Sequence, residues 1–390
     1  MTIAILLLLL AWSAAGWLAY GLDPRATADF GGLAMITFTR RMQWILLVLA
    51  ILPCLLLIAR VTVGKNRAAW LLGLSLVVAL LFVRFAPDKR RPIRVIDGPT
   101  LPLLTEVPPV GDEEFVVGFQ FEGSAYAFPY RALHRTPIIQ LTDFDQRLIL
   151  IFSPFANSAT ALDVNREVRA TDLEYVTSPD NSTLAYNRKY GQFIVGVTGL
   201  TDKRQPSVNV NSQLQVFRVP LRVWRRMHPQ SRWLRPFGRD MDYPGVPLAP
   251  NFRSPSIDAS LPGDQPITLL HTTPPAALLE EVPYKWPINI KSGDTAIVAW
   301  HGEFGEVRAF ERVVDGDFFL TFTSAVHANG TTKFFDEQTR STWSVKGVCT
   351  DGPRKGSKLA PVRVDERVYW GVSKTWWPEL TLLHPPTVPR

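Results

Sequence analysis

Residues 41–84 read RMQWILLVLAILPCLLLIARVTVGKNRAAWLLGLSLVVALLFVR. Positions 42–59 carry no charged side chain and sit between Arg41 and Arg60. Positions 68–83 are equally uncharged and sit between Arg67 and Arg84. A helix needs about 20 apolar residues to cross ~30 Å of hydrocarbon. The first run comes close to that length unaided. The second reaches it once Arg67 and Arg84 extend their side chains to the interfaces. Trp44 and Trp70 stand near segment ends, where amphipathic rings prefer the interface. Pro53 predicts a kink and not a break, since neighbouring groups re-satisfy the freed carbonyl. Cys54 falls in mid-bilayer and reads as packing, not as a lipid attachment point.

Toward the start of the chain, positions 1–22 are also uncharged and hold the run Ile3–Leu10, then Trp12, Trp17 and Tyr20. No basic residue precedes that run, which argues against a secretory signal. An integral membrane protein is expected, with a membrane anchor over 1–91 made of three transmembrane helices at about 1–22, 42–59 and 68–83. The lipid bilayer is its first expected partner.

The formal charge of +7 comes from 42 Lys and Arg against 35 Asp and Glu. Positions 1–91 hold ten basic and three acidic residues, so the whole excess flanks the apolar segments. Positions 92–390 are balanced, with 32 of each sign. They offer no basic face, and no nucleic acid partner is expected. Two cysteines exclude a disulfide scaffold and a thiolate-only zinc site. Thirty-two prolines are too many for a mainly helical domain.

Beyond residue 91 the chain reads as short strands. Phe115–Phe121, Arg147–Phe152 and Gln192–Thr198 are β-branched or aromatic runs of strand length. Phe318 to Thr323 and Val307 to Arg312 alternate with a period of two. Asp315-Gly316, Asn329-Gly330 and Asp351-Gly352 signal turns. Pro220–Met227 is a short helical pattern, with Leu221 and Trp224 three apart and Pro opening the first turn. Positions 236–266 hold seven prolines and little periodicity, which reads as a Pro-rich linker or extended strap. The expected fold class is α+β, predominantly β. Strand-rich domains at 92–235 and 267–390 follow the three transmembrane helices.

Asp336-Glu337-Gln338-Thr339-Arg340-Ser341-Thr342-Trp343 is followed by Gly347, Gly352-Pro353, Gly356 and Leu359. This resembles the signature of the domain of unknown function 3179 family: D-R-x-T-G-S-x-W, then G-x-x-x-x-G-P-x-x-G-x-x-L. Trp224 to Leu234, with His228-Pro229 inside it, resembles the family's closing W-x-x-x-H-P-x-T-x-x-L element. Tyr126-Ala127-Phe128-Pro129 resembles its R-A-Y-P element, and Tyr186-Asn187-Arg188 with Gly191 looks like a second, weaker copy of the signature. The resemblance covers most of 110–235 and 295–383. It implies that the two strand-rich domains are related, as diverged copies produced by internal duplication.

The family's chemistry-bearing stretches look like H-E-I-V-N-D and T-Y-C-P-L-C-G, a set suited to metal binding or redox work. Carried over residue by residue, Thr136 and Pro137 stand at the His and Glu positions, and Ser153 and Ala156 at the two cysteines. In the second unit His301 and Phe304 take the cysteine positions. No thiolate pair remains in either unit. The family is functionally uncharacterised, so the resemblance implies architecture and not a reaction.

Phosphate loops, G-x-S-x-G elbows, H-E-x-x-H helices and C-x-x-C pairs are absent from the sequence. His301 and Glu303 form the sharpest local pair. On a strand, positions i and i+2 share a face, so the two would meet one ligand across Gly302, or else mark a polar strand end entering a turn. Asp336, Thr339, Ser341 and Trp343 read either as a polar binding pocket floored by Trp343 or as a β-turn whose Asp accepts backbone N–H bonds. Cys349 has no partner base in sight and reads as a small buried hydrophobe. Trp376-Trp377 reads as a stacking platform or as core.

The leading expectation is a membrane-anchored, non-enzymatic binding or scaffolding protein built from degenerate copies of an uncharacterised domain. Its ligand would be a protein or an envelope component, held at His301, Glu303, Asp336, Thr339, Ser341 and Trp343. The alternative is a metal-dependent enzyme or binder around His301, Glu303 and Asp336. The sequence names no cofactor. Eight basic residues flank the segments on the side of the large domains against three on the other. The positive-inside bias therefore favours a cytoplasmic domain. The resemblance favours an extracytoplasmic one, because the family's members are commonly exported.

Overall fold

A computed structural model describes the chain apart from residues 1, 28–30, 64–66, 86–94, 106–109, 144–145, 166, 208–209, 251–259, 280–286, 293–294, 315–317, 327–331 and 384–390. Three helices are long and apolar enough to cross a membrane: Thr2–Tyr20, Gly32–Val63 (apolar over Gly32–Ile58) and Arg67–Phe85. Ala11, Ala14 and Ala15 of the first pack against Ala50 of the second and Val77 of the third. Small residues let helix backbones approach where no hydrophobic driving force exists. At Gly73 an added Cβ would stand 2.8 Å from Leu8, and Trp12 Nε1 donates to the Gly73 carbonyl at 2.8 Å.

The second helix begins at Gly32, well before the uncharged stretch at 42. The added turns rest on the strand-rich part. Arg40 pairs with Glu174 at 2.6 Å and Arg41 with Asp202 at 2.9 Å. The two guanidiniums lie over the rings of Tyr186 and Phe193, 4.6 and 5.1 Å from their centroids. Ile36 is buried in one core with Leu184, Phe193, Ile267 and Trp370. Charge patterning reads Arg40 and Arg41 as a helix boundary, but partners on the soluble part let the helix continue past them.

The strand-rich part is built of several small sheets. One four-stranded sheet has the order Val216–Pro220, Phe115–Phe121, Ser124–Pro129, Arg232–Trp233. Its pairs are antiparallel except the last, and the helix Leu221–Met227 joins the two edge strands. Another has the order Val364–Tyr369, Pro266–Leu270, Ala276–Leu279, Thr381–Leu383. It is also antiparallel except for its last pair, and the helix Trp370–Trp376 joins its edges. A five-stranded sheet runs Val95–Asp97, Ile138–Asp143, Gln146–Ser153, Ser158–Val164, Val210–Leu214 in the first unit, antiparallel except for its first pair. In the second unit a four-stranded antiparallel sheet runs Ile288–Ser292, Thr295–His301, Val307–Glu311, Pro361–Val362. Each unit adds a meander: Leu173–Thr177, Leu184–Asn187, Gln192–Val195, and Phe322–Val326, Thr332–Asp336, Thr342–Trp343.

The edge strands Val216–Pro220 and Val364–Tyr369 face each other. Gln215 bridges them, donating to Val364 O at 2.7 Å and accepting from Val364 N at 3.0 Å. The Gln215 side chain thereby satisfies both backbone polar groups of Val364 at that edge. The start of the Pro-rich stretch lies along the first unit. Arg131 donates to the carbonyls of Met241 and Tyr243 at 2.9 and 2.7 Å, and Arg135 pairs with Asp240 at 3.2 Å.

Two expected strands end differently. Gln192–Thr198 stops at Val195, because Gly196 presses against Ser153, where a Cβ would meet Oγ at 2.7 Å. Phe318 to Thr323 is not one strand but Phe318–Phe319 and then Phe322–Val326. The burial still alternates, with Leu320 and Phe322 inside and Phe319 exposed, but the ladder is interrupted at Leu320, whose N–H donates to Arg312 O at 2.9 Å. The turns expected at Asp315-Gly316 and Asn329-Gly330 lie outside the described residues.

Candidate functional site

The strand carrying His301 ends at His301 itself. Gly302 to Gly305 then turns, so the i, i+2 alternation never reaches Glu303, which is exposed. His301 Nδ1 lies 2.9 Å from Gly305 O, which assigns it the donor role there. The buried carboxylate of this turn is Glu306, 2% exposed, bound by Arg308 at 2.8 Å and by Phe304 N at 3.1 Å. Gly302 makes room for that carboxylate: a Cβ would stand 2.1 Å from Glu306 Oε1. Close backbone approach was legible at Gly302, but what approaches is this chain's own Glu306.

Asp336, Thr339, Ser341 and Trp343 do come together. Asp336 is fully buried. Its Oδ2 accepts from Trp343 Nε1 at 2.9 Å and from Thr339 Oγ1 at 2.8 Å, and its Oδ1 accepts from the Thr339 N–H. Thr339 Oγ1 and Ser341 Oγ are 2.7 Å apart, and Arg354 N donates to Ser341 Oγ at 3.1 Å. This Asx-type turn spends its polar groups on itself. Trp343 stands edge-on to Phe322 at 5.7 Å in the core below. Asn187 repeats the device, its Oδ1 accepting from Lys189 N at 3.1 Å. Among the described residues no three His, Cys, Asp or Glu side chains gather as metal ligands would. Trp376 and Trp377 are 9% exposed each and belong to the core.

A second buried cluster joins the two units, and sequence reasoning missed it. Arg218, 3% exposed, donates to the carbonyls of Asn157 and Glu366 and lies 3.6 Å from Asp365 Oδ1. His271 Nε2 lies 2.6 Å from Asp365 Oδ2, and Arg363 lies 2.7 Å from His271 Nε2 and 3.1 Å from its Nδ1. Burial and the neighbouring Arg363 hold His271 down to about 4. It is therefore neutral, with Nε2–H donating to Asp365. Burial pushes the Asp365 carboxyl up, but the His271 hydrogen bond and the Arg363 guanidinium outweigh it and hold it well below the usual carboxylate range. A usable signal was present in Val216-Phe217-Arg218-Val219-Pro220 and Val364-Asp365-Glu366-Arg367-Val368. Arg218 shares a strand face with Val216, two residues before it, and that face is buried.

Glu366 gives a pH test. Its carboxylate accepts from Val307 N at 2.9 Å, yet burial pushes it up to about 7. From about pH 4.5 to 7 the unfolded chain ionises first, so this group lowers stability as pH rises; above 7 the cost is constant. Part of the residue meets solvent, so the cost is about 1–3 kcal/mol. Glu366→Gln removes it. Urea unfolding of both proteins between pH 5 and 8 should show the variant's advantage widening with pH, and a constant gap would refute the assignment. His271 titrates alike in both proteins and cancels.

A cleft of about 690 Å³ lies beside the first unit's five-stranded sheet, lined by His134, Phe155, Tyr175, Ser178, Arg239 and Asp242, among others. Burial holds His134 down to about 4, and its Nε2 faces Val246 O at 3.2 Å. Pro137 and Pro154 are also on the wall, and Phe152 N donates to Pro137 O at 2.7 Å. Thr183 N donates to Ser153 Oγ at 2.9 Å. The family model for a protein of unknown function, DUF3179, matches residues 92–380. The chain belongs to that family. A single match runs through both units, so the family's domain spans the pair. In this DUF3179 chain, Pro137, Pro154, Phe155 and Thr183 line one side of the cleft, next in sequence to Thr136 and Ser153. No curated protein and no solved structure matches the chain.

Proposed function

We propose that this chain is a membrane-anchored, non-enzymatic binding protein whose ligand occupies the cleft beside His134. The observation that carries this reading is the cleft's position. Pro137, Pro154 and Phe155 line it, beside the positions that the resemblance aligns with the family's chemistry-bearing stretches, while Ser153 spends its hydroxyl on Thr183 N. A cleft of about 690 Å³ lies within the ~300–1,000 Å³ typical of small-molecule sites. The two units are diverged copies of one ancestral unit, a reading supported by the like order and directions of the sheets Val216–Pro220 to Arg232–Trp233 and Val364–Tyr369 to Thr381–Leu383 and by the helix that joins the edges of each. The second unit supports the first through Arg218 and Gln215, and the Asp336 turn serves as frame.

The competing reading is a metal-dependent site around His301, Glu303 and Asp336. Elemental analysis of the full chain purified in detergent separates the two. Less than 0.1 metal per chain is expected, on the order of background for an empty site. Stoichiometric metal that His301→Ala removes would overturn the non-enzymatic reading.

A further inference from the structure

Beyond the apolar helices, the described residues expose five large apolar side chains: Leu103, Phe237, Met241, Val246 and Phe319. Three of them, Phe237 at 62%, Met241 at 50% and Val246 at 49%, lie on the short strap that walls the cleft. Apolar groups concentrated on one strap mark a surface that meets something apolar. Tyr175 on the cleft wall follows Glu174, which pairs with Arg40. Arg40 stands about 3 Å of helix rise above Met42, where the uncharged stretch begins.

The polar lining is balanced in sign. Arg135 is answered by Asp240 at 3.2 Å. Arg239 and Asp242 both line the cleft, three apart on the 3₁₀ turn Gly238–Asp242. Side chains three apart eclipse on such a turn, so a cation and an anion stand side by side. Among the described residues no ion pair joins them. His134 is neutral and adds no charge. Tyr175 and Ser178, whose hydroxyls are 2.9 Å apart, add hydrogen-bonding capacity on the facing wall.

We propose that the cleft holds the phosphoethanolamine headgroup of a lipid drawn from the chain's own bilayer, with phosphate at Arg239 and primary ammonium at Asp242. This inference rests on the binding reading above and deepens it. The guanidinium donates to two phosphate oxygens. The ammonium's three N–H donors suit Asp242 and the neutral oxygens beside it, and a quaternary choline has no such donors. The acyl chains leave along Phe237, Met241 and Val246 toward the membrane.

The test is native mass spectrometry of the full chain in detergent with equal amounts of phosphatidylethanolamine, phosphatidylcholine and phosphatidylglycerol. One phosphatidylethanolamine per chain should be retained, about tenfold over the other two. Arg239→Gln should lower retention about tenfold. Asp242→Asn should bring phosphatidylethanolamine down to the level of phosphatidylcholine. Both positions are exposed on the strap, and unchanged melting confirms that each variant folds. Equal retention of all three lipids, or a preference that survives Asp242→Asn, overturns the proposal. Free O-phosphoethanolamine displacing the lipid at equal concentration overturns the bilayer as source. A different stoichiometric adduct that Leu248→Asp removes overturns the lipid and keeps the cleft. No adduct of any kind in the chain as isolated would take the binding reading down as well.

Discussion

Arg218→Met should destabilise the strand-rich part by about 3–5 kcal/mol, because it leaves a buried carboxylate without one of its cations. Arg218 belongs to the first unit and reaches the second. It donates to Asn157 O on its own side and to Glu366 O across the junction, and it sits 3.6 Å from Asp365. Asn157 is fixed in turn, with its Nδ2 donating to Arg367 O and its Oδ1 accepting from Tyr130, both at 2.7 Å. Removing the guanidinium strands two buried carbonyls and weakens the hold on Asp365. His271 and Arg363 remain and limit the loss. Arg218→Lys keeps the charge but lacks the fork that serves two carbonyls at once, so about half the loss should persist. Urea unfolding of the full chain in detergent, followed by tryptophan fluorescence, checks both. The transition should broaden in Arg218→Met as the two units lose their coupling. A loss under 1 kcal/mol would mean that the network is dispensable and that Gln215 and the shared core alone join the units.

Legibility in the sequence followed the range of the interaction. Uncharged runs, two of them flanked by Arg, marked all three apolar helices, since that pattern depends on neighbours in sequence alone. What the pattern could not locate was the true start of the second helix. Arg40 and Arg41 have partners at Glu174 and Asp202, more than a hundred residues away. Strand Phe115–Phe121 matches its expected bounds, being a run of apolar and aromatic residues closed by the positive-φ pair Glu122-Gly123. The Gln192–Thr198 run was misjudged because its end is set by Ser153, a distant contact with no local sign. The same holds for the candidate site. His134, Phe155, Tyr175 and Arg239 come from four separate stretches with no shared spacing. The Asp336 turn was readable because its donors and acceptor lie within eight residues. Its role was not, since pocket and turn use the same letters.

That ambiguity gives the second large effect. Trp343→Ala should cost about 3–5 kcal/mol, the usual range for deleting a buried Trp. The ring is 1% exposed and packs edge-on against Phe322, within a cluster that includes Trp300 and Phe334 stacked at 4.5 Å. Trp343→Phe keeps much of the ring but removes the N–H that Asp336 Oδ2 accepts at 2.9 Å. A hydrogen bond to a charged group contributes about 1.5–3 kcal/mol, so Phe should lose roughly that much. Asp336→Ala should cost a similar amount, and the double variant less than the sum, because the two changes delete one shared bond. A binding pocket predicts the reverse pattern. There, Asp336→Ala leaves a protein of unchanged stability that has lost a ligand, since functional carboxylates are commonly held against stability. Denaturant midpoints for the four proteins of this cycle decide the matter. If Asp336→Ala melts with the parent chain, the turn is a site. If it melts early and couples to Trp343→Phe by 1 kcal/mol or more, on the scale of directly contacting residues, the turn is the clasp that holds the second unit's aromatic core closed.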